Sequence, residues 1–204
     1  MPGYVNRFEA VAKSIEQASS QSLLAFKVNK PASSSLIRKM AAQWKVDSEI
    51  LGFWAEADGL TLVWRHEDRE EMDAGSLFGV EFGEIEGAAT GIVDLMPLAK
   101  IAECCEDADE SLYRIDNHQP EGGAAAKFDG ARNPQVFYFD DEPHALKVDI
   151  AGYLELVLLT AGIAQWFSPL YEGSWYDKDL VKEVFPTLKL ADLKQIVKAS
   201  QERR

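Results

Sequence analysis

Apolar residues first recur at helical spacing: Tyr4, Val5, Phe8, Val11, Ala12 and Ile15 predict an amphipathic helix over residues 4–18. The polar break SSQS follows, then a short extended piece at 21–28 and the loop NKPASSS. Ser33, Ser34 or Ser35 is placed to cap a second helix, because a serine oxygen accepts from exposed first-turn amides. That helix presents Leu36, Ile37, Met40, Ala41 and Trp44 on one face. A third, capped by Asp47 or Ser48, carries Ile50, Phe53, Trp54 and Ala57.

At Asp58-Gly59 the period changes. Leu60, Leu62 and Trp64 fall on one face of a strand, and Thr61, Val63 and Arg65 on the other. The stretch LGFWAEADGLTLVW therefore reads as helix, corner and strand, with Gly59 as the left-handed residue between them. Trp54 and Trp64 are expected to be buried on their separate elements and to mark the fold.

Downstream, HEDREEMDAGS is a polar acidic loop, LFGVEFGEIEG alternates as one strand, and TGIVDLMPL is another. LAKIAECCEDADE starts as a short helix, SLYRID is a strand, and NHQPEGGAAAKFDGARNP is a turn-rich connection with a short strand at its centre. QVFYFDDEPHALKV reads as two strands joined by an acidic loop, the first apolar on both faces and hence central. Asp149 caps a helix carrying Ile150, Tyr153, Leu154, Val157, Leu158 and Ala161, closed by Gly162. An aromatic loop with Trp166, Phe167, Tyr171, Trp175 and Tyr176 leads to short helices near 177–184 and 190–201. Helices, then strands, then helices predict an α+β fold. The expectation is a single domain over residues 1–204, with N-terminal helices, a mainly antiparallel twisted sheet of about five to six strands, and C-terminal helices packed on it.

Charge changes this picture more than composition does. The net charge is −13, yet residues 46–176 carry 27 acidic and 7 basic side chains, while residues 1–45 carry 2 acidic and 7 basic. Nucleic acid and anionic membrane are bound through Lys and Arg, so neither is an expected partner. A basic protein is, because the field of the middle segment would speed the encounter. Three clusters stand out: Glu67, Asp68, Glu70, Glu71 and Asp73; Glu106, Asp107, Asp109 and Glu110; Asp140, Asp141 and Glu142. Each one singly reads equally well as a solvated loop.

Other chemistry is not spelled out. His66, His118 and His144 share no metal spacing and read as scattered surface or loop residues; no metal or other cofactor is expected. Cys104 and Cys105 are adjacent, which strains a disulfide and points to a reducing cytoplasm. No nucleophile elbow or phosphate loop occurs. MPGYVNRFEA lacks the basic-then-apolar pattern of a secretory signal, and no apolar run approaches a spanning helix.

Three local patterns, in order, carry a resemblance. ILGFWAEADGLTLVW is similar to a helix with an aromatic-rich end, an acid-glycine corner and a strand. GIVDLMPLAKI is similar to a strand ending at proline before a short helix. VFYFDDEPHALKVDIAGYLELVLLTAG is similar to two late strands and the helix after them. Together they resemble the SUKH superfamily, which includes fungal cell-wall assembly regulators and bacterial toxin-immunity proteins. The similarity spans residues 33–166, with 1–30 and 177–204 as helical extensions. No proline stands just before Ile50, where many members have one, so the subgroup stays open.

The resemblance implies a binding domain without catalysis. In the immunity reading the chain neutralises a toxin directly, with the three acidic clusters as the contact. Two alternatives stand beside it: a regulatory scaffold without a toxin partner, and a small-molecule binder or enzyme using the aromatic loop as a cleft. The basic ends leave a homo-oligomeric contact open.

Overall fold

The computed structural model describes residues 3–67, 78–82, 85–106, 109–118, 123–139, 143–171, 173–175 and 177–203, and of 78–82, 85–88, 105–106, 109–110 and 171 the backbone alone. Helix α1 (Tyr4–Gln17) leads into β1 (Gln21–Val28) and α2 (Ser34–Trp44), whose Ser33 cap accepts from the Leu36 amide at 3.2 Å. Asp47 caps a 3-10 turn, Ser48–Leu51, that runs into α3 (Gly52–Glu56). Then come β2 (Leu60–His66), β3 (Phe78–Phe82), β4 (Ile85–Ala89), β5 (Gly91–Leu95), α4 (Leu98–Ile101), β6 (Cys105–Glu106), β7 (Asp109–Asp116), β8 (Gly123–Lys127), β9 (Gln135–Phe139) and β10 (Pro143–Asp149). Helices α5 (Ile150–Thr160), α6 (Ser168–Tyr171), α7 (Lys178–Val184) and α8 (Leu190–Arg203) close the chain. Among the described residues no helix is long and apolar enough to cross a membrane.

The α+β arrangement matches the reading from periodicity, but the sheet is wider than expected. Seven strands lie in the order β1-β2-β5-β7-β8-β9-β10, with β6 pairing β7 as an eighth. All these pairings are antiparallel. The alternating stretch read as one strand of the sheet lies outside it, as the separate two-stranded hairpin β3–β4, with Phe78 opposite Ala89 and Phe82 opposite Ile85. A period of two runs unbroken through both arms of a tight hairpin, so alternation alone hides the turn. The stretch GGAAAK supplies β8, a full member of the sheet between β7 and β9. Alanine is a weak strand former, but here it fits under neighbouring aromatics: Ala124, Ala125 and Ala126 are all fully buried.

One face of the sheet is covered by helices. Leu60, Leu62, Trp64, Val93, Leu95, Val136 and Tyr138 pack there with Phe8 and Ile15 of α1, Met40 and Trp44 of α2, and Tyr153, Leu156 and Val157 of α5. Residues outside the span of the resemblance thus take part in the core: α1 packs on β1, and Leu193 of α8 is fully buried. On the opposite face Val63, Ile92 and Ala89 form a smaller cluster with Leu24 and Ala25.

Successive antiparallel pairings make β2, β7 and β9 run in one direction, and β1, β5, β8 and β10 in the other. The strands are staggered, however: Leu60 at the start of β2 is level with Leu95, Asp116, Ala124 and Tyr138, so the ends of β7 and β9 lie level with the start of β2, and β7 begins well beyond it.

Candidate functional site

The register separates the acidic clusters. Glu67 follows the end of β2, whereas Phe139, the end of β9, is about level with the start of β2. Glu67 is exposed and accepts from the Ser22 hydroxyl at 2.7 Å. Asp68, Glu70, Glu71 and Asp73, which follow it in the chain, lie outside the described residues, as do Asp140, Asp141 and Glu142, which follow Phe139. Of the third cluster, Glu106 pairs with Asp109 across β6 and β7, at the start of β7. The side chains of Glu106, Asp109 and Glu110 and the whole of Asp107 lie outside the described residues. The described residues that border the three clusters, Glu67, Phe139 and the start of β7, thus stand at three different levels along the sheet.

The aromatic loop is mostly core where it is described. Trp166 and Phe167 are 1% and 4% exposed, so they line no open cleft. Trp166 tilts against Tyr153, and Phe167 stacks on Tyr138 with centroids 3.5 Å apart. Trp175 is half-buried against the core, and the side chains of Tyr171 and Tyr176 lie outside the described residues.

The sequence reading missed a polar group inside the sheet. Strands β5 and β7 pair at Leu95 and Asp116 alone. Above that point β5 takes a different neighbour, the chain leaving α5: Ile92 N–H donates to Gly162 O and Ala164 N–H to Thr90 O, both at 2.9 Å. The sheet is thus parted between β5 and β7, and side chains bridge the parting. A register shift between Arg114 and Asp116 turns both Ile115 and Asp116 toward the helices. Asp116 Oδ1 accepts from the Asp94 amide at 3.0 Å, standing in for a backbone carbonyl, and Oδ2 accepts from the Tyr153 hydroxyl at 2.6 Å.

Electrostatics follow from that geometry. Burial, and then the charge of Asp116, push the Asp94 carboxyl up to about 6, against the hydrogen bond that Thr61 donates to it at 2.9 Å. Burial and the Asp116 charge push the Tyr153 hydroxyl well above its ordinary value, which keeps it a donor. His118 Nδ1 lies 3.5 Å from Asp116 Oδ1, and the ring stacks on Tyr138. Neither His118 ring nitrogen has a hydrogen-bond partner among the described residues.

Two of the three histidines therefore correct the surface-loop reading. His118 is 2% exposed and His66 0%; His144 alone is exposed. His66 ends β2 and His118 lies two residues past β7, positions the spacing between histidines does not report. His66 donates its amide to Thr90 Oγ1 at 2.8 Å and sets its ring 3.4 Å from Glu183 of α7. Among the described residues no three His, Cys, Asp or Glu side chains gather as a metal-binding group. The Asp116–His118 pair has the components of an acid–base couple, but at 1% and 2% exposure it offers no face to a substrate. Its hydrogen bonds join β5, β7 and α5. A signal was available: Asp94 and Asp116 interrupt the apolar runs GIVDLM and LYRID, and aspartate is depleted in strands.

No family model, curated protein or solved structure matches the chain.

Proposed function

We propose that this chain is a non-catalytic protein-binding domain of the SUKH type, acting in the cytoplasm as an immunity protein. Its partner is a cationic toxin domain. Nucleases are the fitting class, since their active sites must be basic to hold phosphate. The observation that carries the reading is the excess of 27 acidic over 7 basic side chains in residues 46–176, whose field attracts such a partner from a distance. The order of the three motifs that resemble SUKH members adds the functional class.

Co-expression with the protein encoded beside this one tests the proposal. Rescue from that protein's toxicity and salt-sensitive co-purification are the expected outcomes. A neighbour that is harmless and does not co-purify would overturn the immunity reading.

A further inference from the structure

The two borders of the sheet differ. A helix packs against each, α8 on β10 and α1 on β1. β10, however, begins at Pro143 and has a register shift between Ala145 and Val148 with Lys147 at φ +61°. Proline and bulges are how natural sheets keep a border from pairing with another chain. β1 forms the opposite border. Among the described residues no strand pairs with its outer edge, and its eight residues, QSLLAFKV, contain no proline. Its own register shift falls at Leu24, in the middle.

The faces of β1 read the same in both directions. Leu23, Phe26 and Val28 pack into the helix-side core, and Leu24 and Ala25 into the opposite cluster. Ser22 and Lys27 register with Arg65 and Thr61, the β2 residues that alternate with the core-facing Leu62 and Trp64, and so share the face of Leu24 and Ala25. A two-fold axis through the middle of the strand, between Leu24 and Ala25, then pairs like face with like. Ser22 stands opposite Lys27, Leu23 opposite Phe26, and Leu24 opposite Ala25.

We propose that two copies of this chain associate through antiparallel pairing of their β1 strands in that full-length register, joining the two sheets into one. Charge favours a second copy as the occupant. Lys27 is exposed, and in this register it meets Ser22 of the other copy. Ser22 already holds the exposed Glu67 carboxylate at 2.7 Å. Each Lys27 is thereby set beside the other copy's Glu67, and the two-fold axis makes the contact twice. On the inner face Leu23 and Phe26 form two cross-strand apolar pairs. The groove beside that edge, where Ala12, Leu23 and Phe26 are flanked by Glu9, Lys13 and Glu16, lies along the same junction.

Sedimentation equilibrium of the full chain tests this, with Lys27→Glu, Glu67→Lys and the double exchange. Both positions are exposed, and circular dichroism checks that each variant is folded. The expected result is a wild-type dimer and single variants that dimerise about 10- to 100-fold more weakly, because two attractive contacts become repulsive. The double exchange restores the pairing. A wild-type monomer throughout the concentration range overturns the proposal. So does a dimer indifferent to the single reversals, or one that the double exchange fails to restore.

Discussion

The indole of Trp64 lies directly on Gly91: a methyl group built on that glycine would run into the ring at Nε1 and Cε2. The contact fixes the indole so that Nε1 donates to the Ala161 carbonyl at 2.8 Å, tying β2 to the end of α5. Gly91→Ala should therefore cost about 3 kcal/mol, the upper part of the range for overpacking a rigid core. Gly52→Ala is the contrast, since Gly52 has helical backbone angles and nothing within 4 Å of its built methyl. It should gain about 0.5–1 kcal/mol. Urea unfolding of both variants checks the pair; equal effects would contradict the packing argument.

The parting between β5 and β7 should respond to pH. Asp94 titrates near 6 in the fold, raised first by burial and then by Asp116. An acid whose pKa is raised on folding contributes stability that is complete below its unfolded value, about 4, and is lost as pH rises through about 6. The loss amounts to about 2–3 kcal/mol for this shift. Asp94→Asn should flatten the stability profile between those values and stabilise the chain at neutral pH, with the Thr61 hydroxyl still bound. Denaturation midpoints measured across that range would show it. A mutant profile parallel to the wild type would remove the claim.

At Asp149, the last residue of β10, the sign is opposite. Burial works against ionising Asp149, but hydrogen bonds from Arg203, the Gly152 amide and Ser200 more than offset it and hold the carboxyl below the ordinary range. Its contribution is present above about pH 4 and is lost on acidification below that. Arg203 lowers the pKa more, yet Ser200 matters more to stability. Its buried hydroxyl donates to Asp149 Oδ1 at 2.7 Å and accepts the Asp149 amide at 2.6 Å, whereas the Arg203 side chain is 45% exposed and screened. Ser200→Ala should cost about 1–3 kcal/mol and loosen α8, while Arg203→Ala should cost about 1 kcal/mol or less. Thermal melts at neutral pH and near pH 4 would rank them.

Periodicity made most of the fold legible. The stripe Ile50, Phe53, Trp54, Ala57 and the alternation from Leu60 locate a helix and a strand, and the glycine between them is at φ +101°. Had Gly59 carried a methyl, it would press on the Leu95 carbonyl at 2.9 Å, so the corner itself packs against β5. Trp54 and Trp64 are buried on those elements, and each donates its indole N–H to a distant carbonyl, Met96 and Ala161. Long-range relations were not legible. Nothing local tells that Asp116 serves the Asp94 amide, or that His118 turns inward onto Tyr138. Nor does a run of acids reveal its level along the sheet. That follows only from the register of each strand, which depends on pairings between segments tens of residues apart.

That register yields the sharpest test of the acidic surface. Reversal of Asp140 and Asp141 to lysine changes charge in the stretch that follows β9; reversal of Glu106 and Asp109 changes it at the start of β7. If a cationic partner docks on the stretch after β9, the first pair slows association at low salt by about tenfold or more and flattens its salt dependence. The second pair alters only the long-range field, and its effect should be several-fold smaller and vanish at physiological salt, where the screening length is about 8 Å. Stopped-flow association of the purified partner with each variant reads both quantities. Equal slowing from the two pairs would mean that net charge, and not a docking site, sets the encounter. Slowing from the second pair alone would move the contact to the β6–β7 side.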